Sequence, residues 1–97
     1  MVLTGKQKRF LQALGNSIKP TVSIGKSGVS DNTYLSVKNA FNTKELIKVK
    51  IQDGCEDLKE DVAQKIVVGT NAVLVQIMGK TLLFFKPHRD HPKIELP

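Results

Sequence analysis

The sequence predicts a two-layer α/β domain with a four-stranded mixed sheet and the element order α-β-α-β-α-β-β. Three observations carry this. Apolar residues switch repeatedly between helical spacing and strict alternation along the chain. Each switch falls at Gly, Pro or Asn, the residues that end helices and turn strands. The last two apolar runs flank Gly79-Lys80, a two-residue hairpin with Gly at its first central position. The β-α-β-α-β portion implies right-handed crossovers and parallel pairing, and the final hairpin adds an antiparallel strand. With 97 residues, 40% of them hydrophobic, one domain over residues 1–97 with one modest core is expected.

The first helix is predicted over residues 4–15. Phe10, Leu11 and Leu14 fall at helical spacing, Thr4 is a candidate N-cap, and Gly15-Asn16 is a natural stop. The pattern does not say where this helix packs. Pro20 breaks the helix and leads into a short strand over 20–24. Ser30 is positioned to cap a helix running to about residue 42, with Tyr34, Val37, Lys38 and Phe41 on one face. Residues 45–51 alternate cleanly. Ile47, Val49 and Ile51 face one side, and Leu46, Lys48 and Lys50 the other. Asp53-Gly54 marks a turn. Residues 56–68 form the next helix, with Leu58, Val62 and Ile66 four apart and Glu56, Asp57 and Glu60 at its positive end. Gly69 or Asn71 ends it. Strands over 72–78 and 81–86 complete the order. The polar tail from Pro87 closes with Ile94-Glu95-Leu96-Pro97, the pattern of a docked extension.

Composition narrows the function. The net charge is +6 and is unevenly spread. Residues 1–52 hold nine basic side chains against Asp31 and Glu45, whereas residues 53–70 hold five acids against Lys59 and Lys65. This asymmetry suggests a positive surface toward nucleic acid and an acidic region turned away from it. No apolar run approaches the roughly 18 residues that span a bilayer. The N-terminal residues turn polar at once, unlike a signal peptide, so a cytoplasmic location is expected. Cys55 is the one cysteine and excludes an intrachain disulfide. It lies near a predicted helix start, but its neighbours Asp53, Glu56 and Asp57 disfavour a thiolate.

The motif that carries chemistry is Gly25-Lys26-Ser27-Gly28, between a strand and a capped helix. Two glycines allow a sharp turn and close backbone approach, the helix start offers unpaired N–H groups, and Lys26 adds a mobile charge. Together they form a plausible phosphate cradle. The same four residues also suit a plain strand-to-helix turn. Under the first reading an aspartate at Gly28 would weaken binding of a phosphate backbone with little change in melting temperature. A P-loop is excluded because its first glycine would fall at Pro20.

Lys48 and Lys50 share a strand face that must be open or near an edge, either protecting that edge or touching RNA. Lys6, Lys8, Arg9 and Lys19 could extend a phosphate track or simply be solvated. His88 and His91 lack further ligands for zinc. Phe84 and Phe85 alternate, with core packing favoured over stacking on a base. No carboxylate spacing suggests an acid–base pair. Neither a metal nor a cofactor is expected, and the chain is not read as an enzyme.

Leu3-Thr4-Gly5-Lys6-Gln7-Lys8, Lys19-Pro20, Ile24-Gly25-Lys26-Ser27-Gly28-Val29, Glu45-Leu46-Ile47-Lys48-Val49-Lys50 and Gly79-Lys80-Thr81-Leu82-Leu83-Phe84-Phe85-Lys86-Pro87 appear in an order and spacing that resembles the YhbY family of bacterial CRM-domain proteins. The resemblance covers essentially the whole chain. It implies a stand-alone CRM domain that binds RNA and associates with precursors of the large ribosomal subunit. Related domains occur in plant organelle intron-splicing factors. It also implies a fold similar to the C-terminal domain of translation initiation factor three, with a GxxG loop like that of KH domains at Gly25 to Gly28.

The expected RNA-binding residues are Gly25, Lys26, Ser27 and Gly28, with Lys6, Lys8, Arg9, Lys19, Lys48 and Lys50 widening the track. The expected partners are the rRNA of large-subunit precursors and ribosomal proteins, with no membrane, and the protein is expected to be a monomer. The alternative is a protein-interaction module docking on a ribosomal protein or assembly GTPase through residues 53–70.

Overall fold

A computed structural model describes residues 1–97. Its elements run α1 (Gly5–Gly15), β1 (Val22–Ile24), α2 (Asp31–Thr43), β2 (Leu46–Ile51), α3 (Lys59–Thr70), β3 (Val73–Met78) and β4 (Thr81–Phe85). The predicted order is reproduced.

Local chemistry sets most boundaries. Thr4 and Ser30 cap α1 and α2 through capping boxes closed by Gln7 and Thr33. Asn71, at φ 61°, ends α3 in the left-handed conformation, and its N–H donates to the Val67 carbonyl. Gly79, at φ 58°, turns the β3–β4 hairpin. The helix expected from residue 56 begins instead at Lys59. The segment before it is held by longer-range bonds, with Glu56 N–H donating to Lys26 O and the Asp57 side-chain carboxylate accepting from Val29 N–H. Cys55 therefore lies in a loop and not at a helix start.

The sheet order is β1-β2-β4-β3. β1 and β2 pair in parallel as expected, but β4 is inserted between β2 and β3 and is antiparallel to both. β2 and β3 thus share a direction without pairing. β3 is an outer strand, with a register irregularity between Leu74 and Gln76. β2 is an inner strand, so Lys48 and Lys50 do not protect a sheet edge.

The two faces of the sheet are covered differently. Val22, Ile24, Ile47, Val49, Ile51, Leu82 and Phe84 pack under Val37 and Phe41 of α2 and Val62 and Ile66 of α3. This is the predicted two-layer body. The first helix lies on the opposite face, where Leu11 joins Leu3, Leu46, Val75, Leu83 and Phe85. Phe84 and Phe85 are both fully buried, one in each core, so neither is free to stack on a base.

The tail folds back, as expected, and Ile94 and Leu96 pack on the smaller core. Its anchor is Glu45, only 3% exposed. One carboxylate oxygen accepts the N–H groups of Lys93 (2.6 Å) and Ile94 (2.7 Å), and the other accepts that of His88 (2.6 Å). Burial pushes the Glu45 pKa up, but the three N–H donors and His88 outweigh it and hold the carboxyl below its ordinary 4.5.

Candidate nucleic-acid interface

Gly25 to Gly28 leave the carboxyl end of β1, beside the carboxyl end of its parallel neighbour β2. In open α/β sheets this is where ligands are received. The turn is closed by Gly28 N–H donating to Gly25 O at 3.1 Å. The two glycines then differ. Gly28 is buried at φ 76°, and a Cβ there would lie 2.2 Å from an Asp57 carboxylate oxygen. Gly25 is exposed, and a Cβ built on it meets nothing within 4 Å. Gly28 is therefore required by the architecture of the loop, whereas Gly25 is free to face a ligand. The expectation that an aspartate at Gly28 would leave the melting temperature nearly unchanged is corrected by this geometry.

A groove of about 350 Å³ runs from the loop along β1 and the start of α2. Gly25, Lys26, Ser27 and Asn32 line it, and their backbone N–H groups donate to no protein acceptor. Thr21, Ser23, Ser30 and Ser36 add hydroxyls, and no acidic residue lines it. The N-terminal end of α2 brings its partial positive charge to the same place. The arrangement suits an anion with several acceptor oxygens. The Lys26 stem passes over Gly54, 3.6 Å from where a Cβ would stand there, and its ammonium takes part in no ion pair.

On the other side of the loop stand Asp53, Glu56 and Asp57. This part of the acidic segment does not face away from the loop, as charge blocks in the sequence had suggested. Parallel pairing of β1 with β2 brings the turn after β2 against the turn after β1. Lysines offset two of these acids. Asp53 pairs with Lys80 of the hairpin, and that hydrogen bond holds its carboxyl below the ordinary range. Asp57 pairs with Lys65 at 3.1 Å and accepts from Val29 N–H at 3.4 Å. The Lys65 contact first, then the Val29 contact, lowers the Asp57 pKa, and Asp57 in turn raises that of Lys65.

The other candidate lysines are only partly gathered. Lys50 pairs in register with Ser23, a groove residue, and is exposed. Lys48 is half-buried beside Gly15 and Asn16 at the end of α1. Lys19 is exposed in the α1–β1 connection. Lys6, Lys8 and Arg9 are exposed on the amino-terminal half of α1, on the side of the tail, where Gln7 donates to Pro97 O. They lie apart from the loop. Sequence reasoning missed the hydroxyl groove. Its signal was the run of Ser and Thr at 21, 23, 27, 30, 33 and 36, which reads locally as capping and solvated positions.

Comparison with known proteins follows the same outline. The model of the CRS1 / YhbY (CRM) domain matches residues 3–86. The chain belongs to the CRM-domain family. Among CRM-family relatives, the Bacillus subtilis protein named "Probable RNA-binding protein YqeI" is 42% identical over 96 residues, covering 99% of this chain and 100% of the relative. A Haemophilus influenzae protein named "RNA-binding protein" is 36% identical, covering 98% and 95% respectively. The solution structure of a hypothetical protein from Staphylococcus aureus superposes with a TM-score of 0.83 at 34% identity, covering 99% of this chain and 100% of that one. No helix of this CRM protein is long and apolar enough to cross a membrane.

Proposed function

We propose that this protein is a non-catalytic RNA-binding factor acting on precursors of the large ribosomal subunit, as one domain, a monomer, in the cytoplasm. The observation that carries the reading is the set of four unpaired N–H groups beside Lys26, in a groove without a carboxylate. Phosphate oxygens are the ligands that such donors match. The charges on the far side of the loop, where Glu56 is unpaired, steer the chain of phosphates toward the hydroxyl groove. Lys50 extends the positive surface there. Contacts of this kind position RNA without reading its sequence, so selectivity rests on RNA shape or unpaired bases. The names of the two bacterial relatives support RNA as the ligand class. The ribosomal setting rests on the family resemblance.

Sucrose-gradient sedimentation of a lysate, with and without RNase, tests the reading. Co-migration with large-subunit precursors that RNase abolishes is the expected result. A protein that stays at the top of the gradient at low salt overturns the ribosomal role. Docking on a ribosomal protein or GTPase is the second reading. It is favoured by a groove between α3 and β3 in which Ala63, Val67, Leu74 and Ile77 are rimmed by Glu60. Association that survives RNase would support it.

A further inference from the structure

The end of the sheet away from the Gly25–Gly28 loop carries a second polar groove, of about 980 Å³. Lys38, Asn42, Asn71, Lys86, His88 and Arg89 line it, and none of its lining residues is acidic. It lies where α2 and α3 end, and helix ends of this polarity repel anions. Two of its side-chain donors are committed to removing that obstacle. Lys86 Nζ donates to the Thr70 carbonyl at 2.9 Å, at the end of α3, and His88 Nε2–H donates to the Phe41 carbonyl at 2.8 Å, at the end of α2. The nearby Glu45 carboxylate is buried and shared among three backbone N–H groups. Lys38 and Arg89 remain. Both are exposed, and neither joins an ion pair.

We propose that this groove is a second phosphate grip, in which Lys38 and Arg89 hold the backbone of the same RNA that the Gly25–Gly28 loop holds. The inference rests on the RNA-binding reading above and extends it to residues at the opposite end of the molecule. α2 joins the two places. Its 13 residues span about 20 Å, and the only acid on it, Asp31, sits in its first turn. A strand leaving the loop along α2 therefore meets no further carboxylate on that helix before Lys38.

RNA length separates the two grips. A GxxG loop clamps about four nucleotides. A fluorescein-labelled single-stranded RNA of about four nucleotides occupies the loop alone, and one of about twelve reaches past α2. Both probes are titrated by anisotropy across a salt series with the full chain, its Lys38→Ala/Arg89→Ala double variant and Lys26→Ala.

The double variant is expected to bind the short RNA as the parent does. On the long RNA its salt slope should be shallower by about 1.4 units, the loss of two counterion-releasing contacts on a single strand. Equal loss on both lengths, or none on either, overturns the second grip. If Lys26→Ala weakens both lengths while the double variant changes neither, the loop reading stands and this extension falls. If no variant changes either titration, both fall. Unchanged melting temperatures for the variants confirm that binding, not folding, is being read.

Discussion

Placing an aspartate in turn at Gly25 and at Gly28 separates the part of the loop that meets ligand from the part that holds the fold. At Gly25 a Cβ has no neighbour within 4 Å, so the free protein accepts the side chain. Stability should stay within about 0.5 kcal/mol of the parent, as for other open surface sites. A carboxylate there stands roughly 5 Å from a bound phosphate, a repulsion of about 1–3 kcal/mol at dielectric values between water and a protein surface. That predicts a loss of about five- to 150-fold in RNA affinity.

At Gly28 the balance reverses. The backbone at φ 76° costs a side chain about 1–2 kcal/mol, and the Cβ position lies 2.2 Å from Asp57 Oδ2. Asp57 must yield, releasing Val29 and Lys65, and the new charge opposes it. From the backbone term alone the melting temperature should fall by about 4–16 °C. The assays are thermal denaturation by circular dichroism and anisotropy with a labelled RNA. A Gly25→Asp protein that melts normally and binds RNA with parental affinity would refute the assignment of the loop to phosphate. A Gly28→Asp protein as stable as the parent would refute the account of its contact with Asp57.

Lys26→Ala should make the salt dependence of RNA binding shallower by about 0.7–0.9 units, one counterion fewer, and an unchanged slope in filter binding removes Lys26 from the site. Glu45 has a folded pKa below its ordinary 4.5, so the unfolded chain takes up the proton first on acidification. Its contribution should be complete above about pH 4.5 and lost as pH falls through the folded value. In Glu45→Gln that acid-dependent loss should flatten in a plot of melting temperature against pH. Gly69→Ala would gain about 1 kcal/mol in helix propensity, yet its Cβ would meet the Tyr34 ring at 2.4 Å. Net destabilisation in urea denaturation is expected, and a stabilised protein would show that α2 and α3 are not held at that approach.

What the sequence made legible is local. Thr4, Ser30, Asn71 and Gly79 act within four residues of themselves, and a cap or a turn is written in its own neighbourhood. Alternation assigned Leu46 and Ile47 to opposite faces, as the two cores confirm. The insertion of β4 between β2 and β3 was not legible, because strand pairing between residues 46–50 and 81–85 leaves no mark on either segment. The side chosen by α1 was hidden for the same reason. At the candidate site, the Gly-Lys-Ser-Gly motif stood out. The company it keeps did not, since Asp57 reaches Gly28 and Val29 only after a helix and a strand have intervened.

The insertion of β4 also bears on how the molecule comes into being. Synthesis delivers the Gly25–Gly28 loop early and the hairpin late, yet β2 gains its second neighbour only from β4, and Ile51 N–H is satisfied by Lys80 O. A nascent chain that has reached residue 70 holds β1, β2 and three helices with one side of β2 unpaired and the underside of Ile47 and Val49 short of Leu82 and Phe84. Contacts of such sequence separation are made last, because loop closure must precede them. The finished sheet therefore waits on the synthesis of residues 81–85, and a chain released before Lys80 would carry the complete Gly-Lys-Ser-Gly motif without the hairpin lysine that pairs with Asp53 beside it.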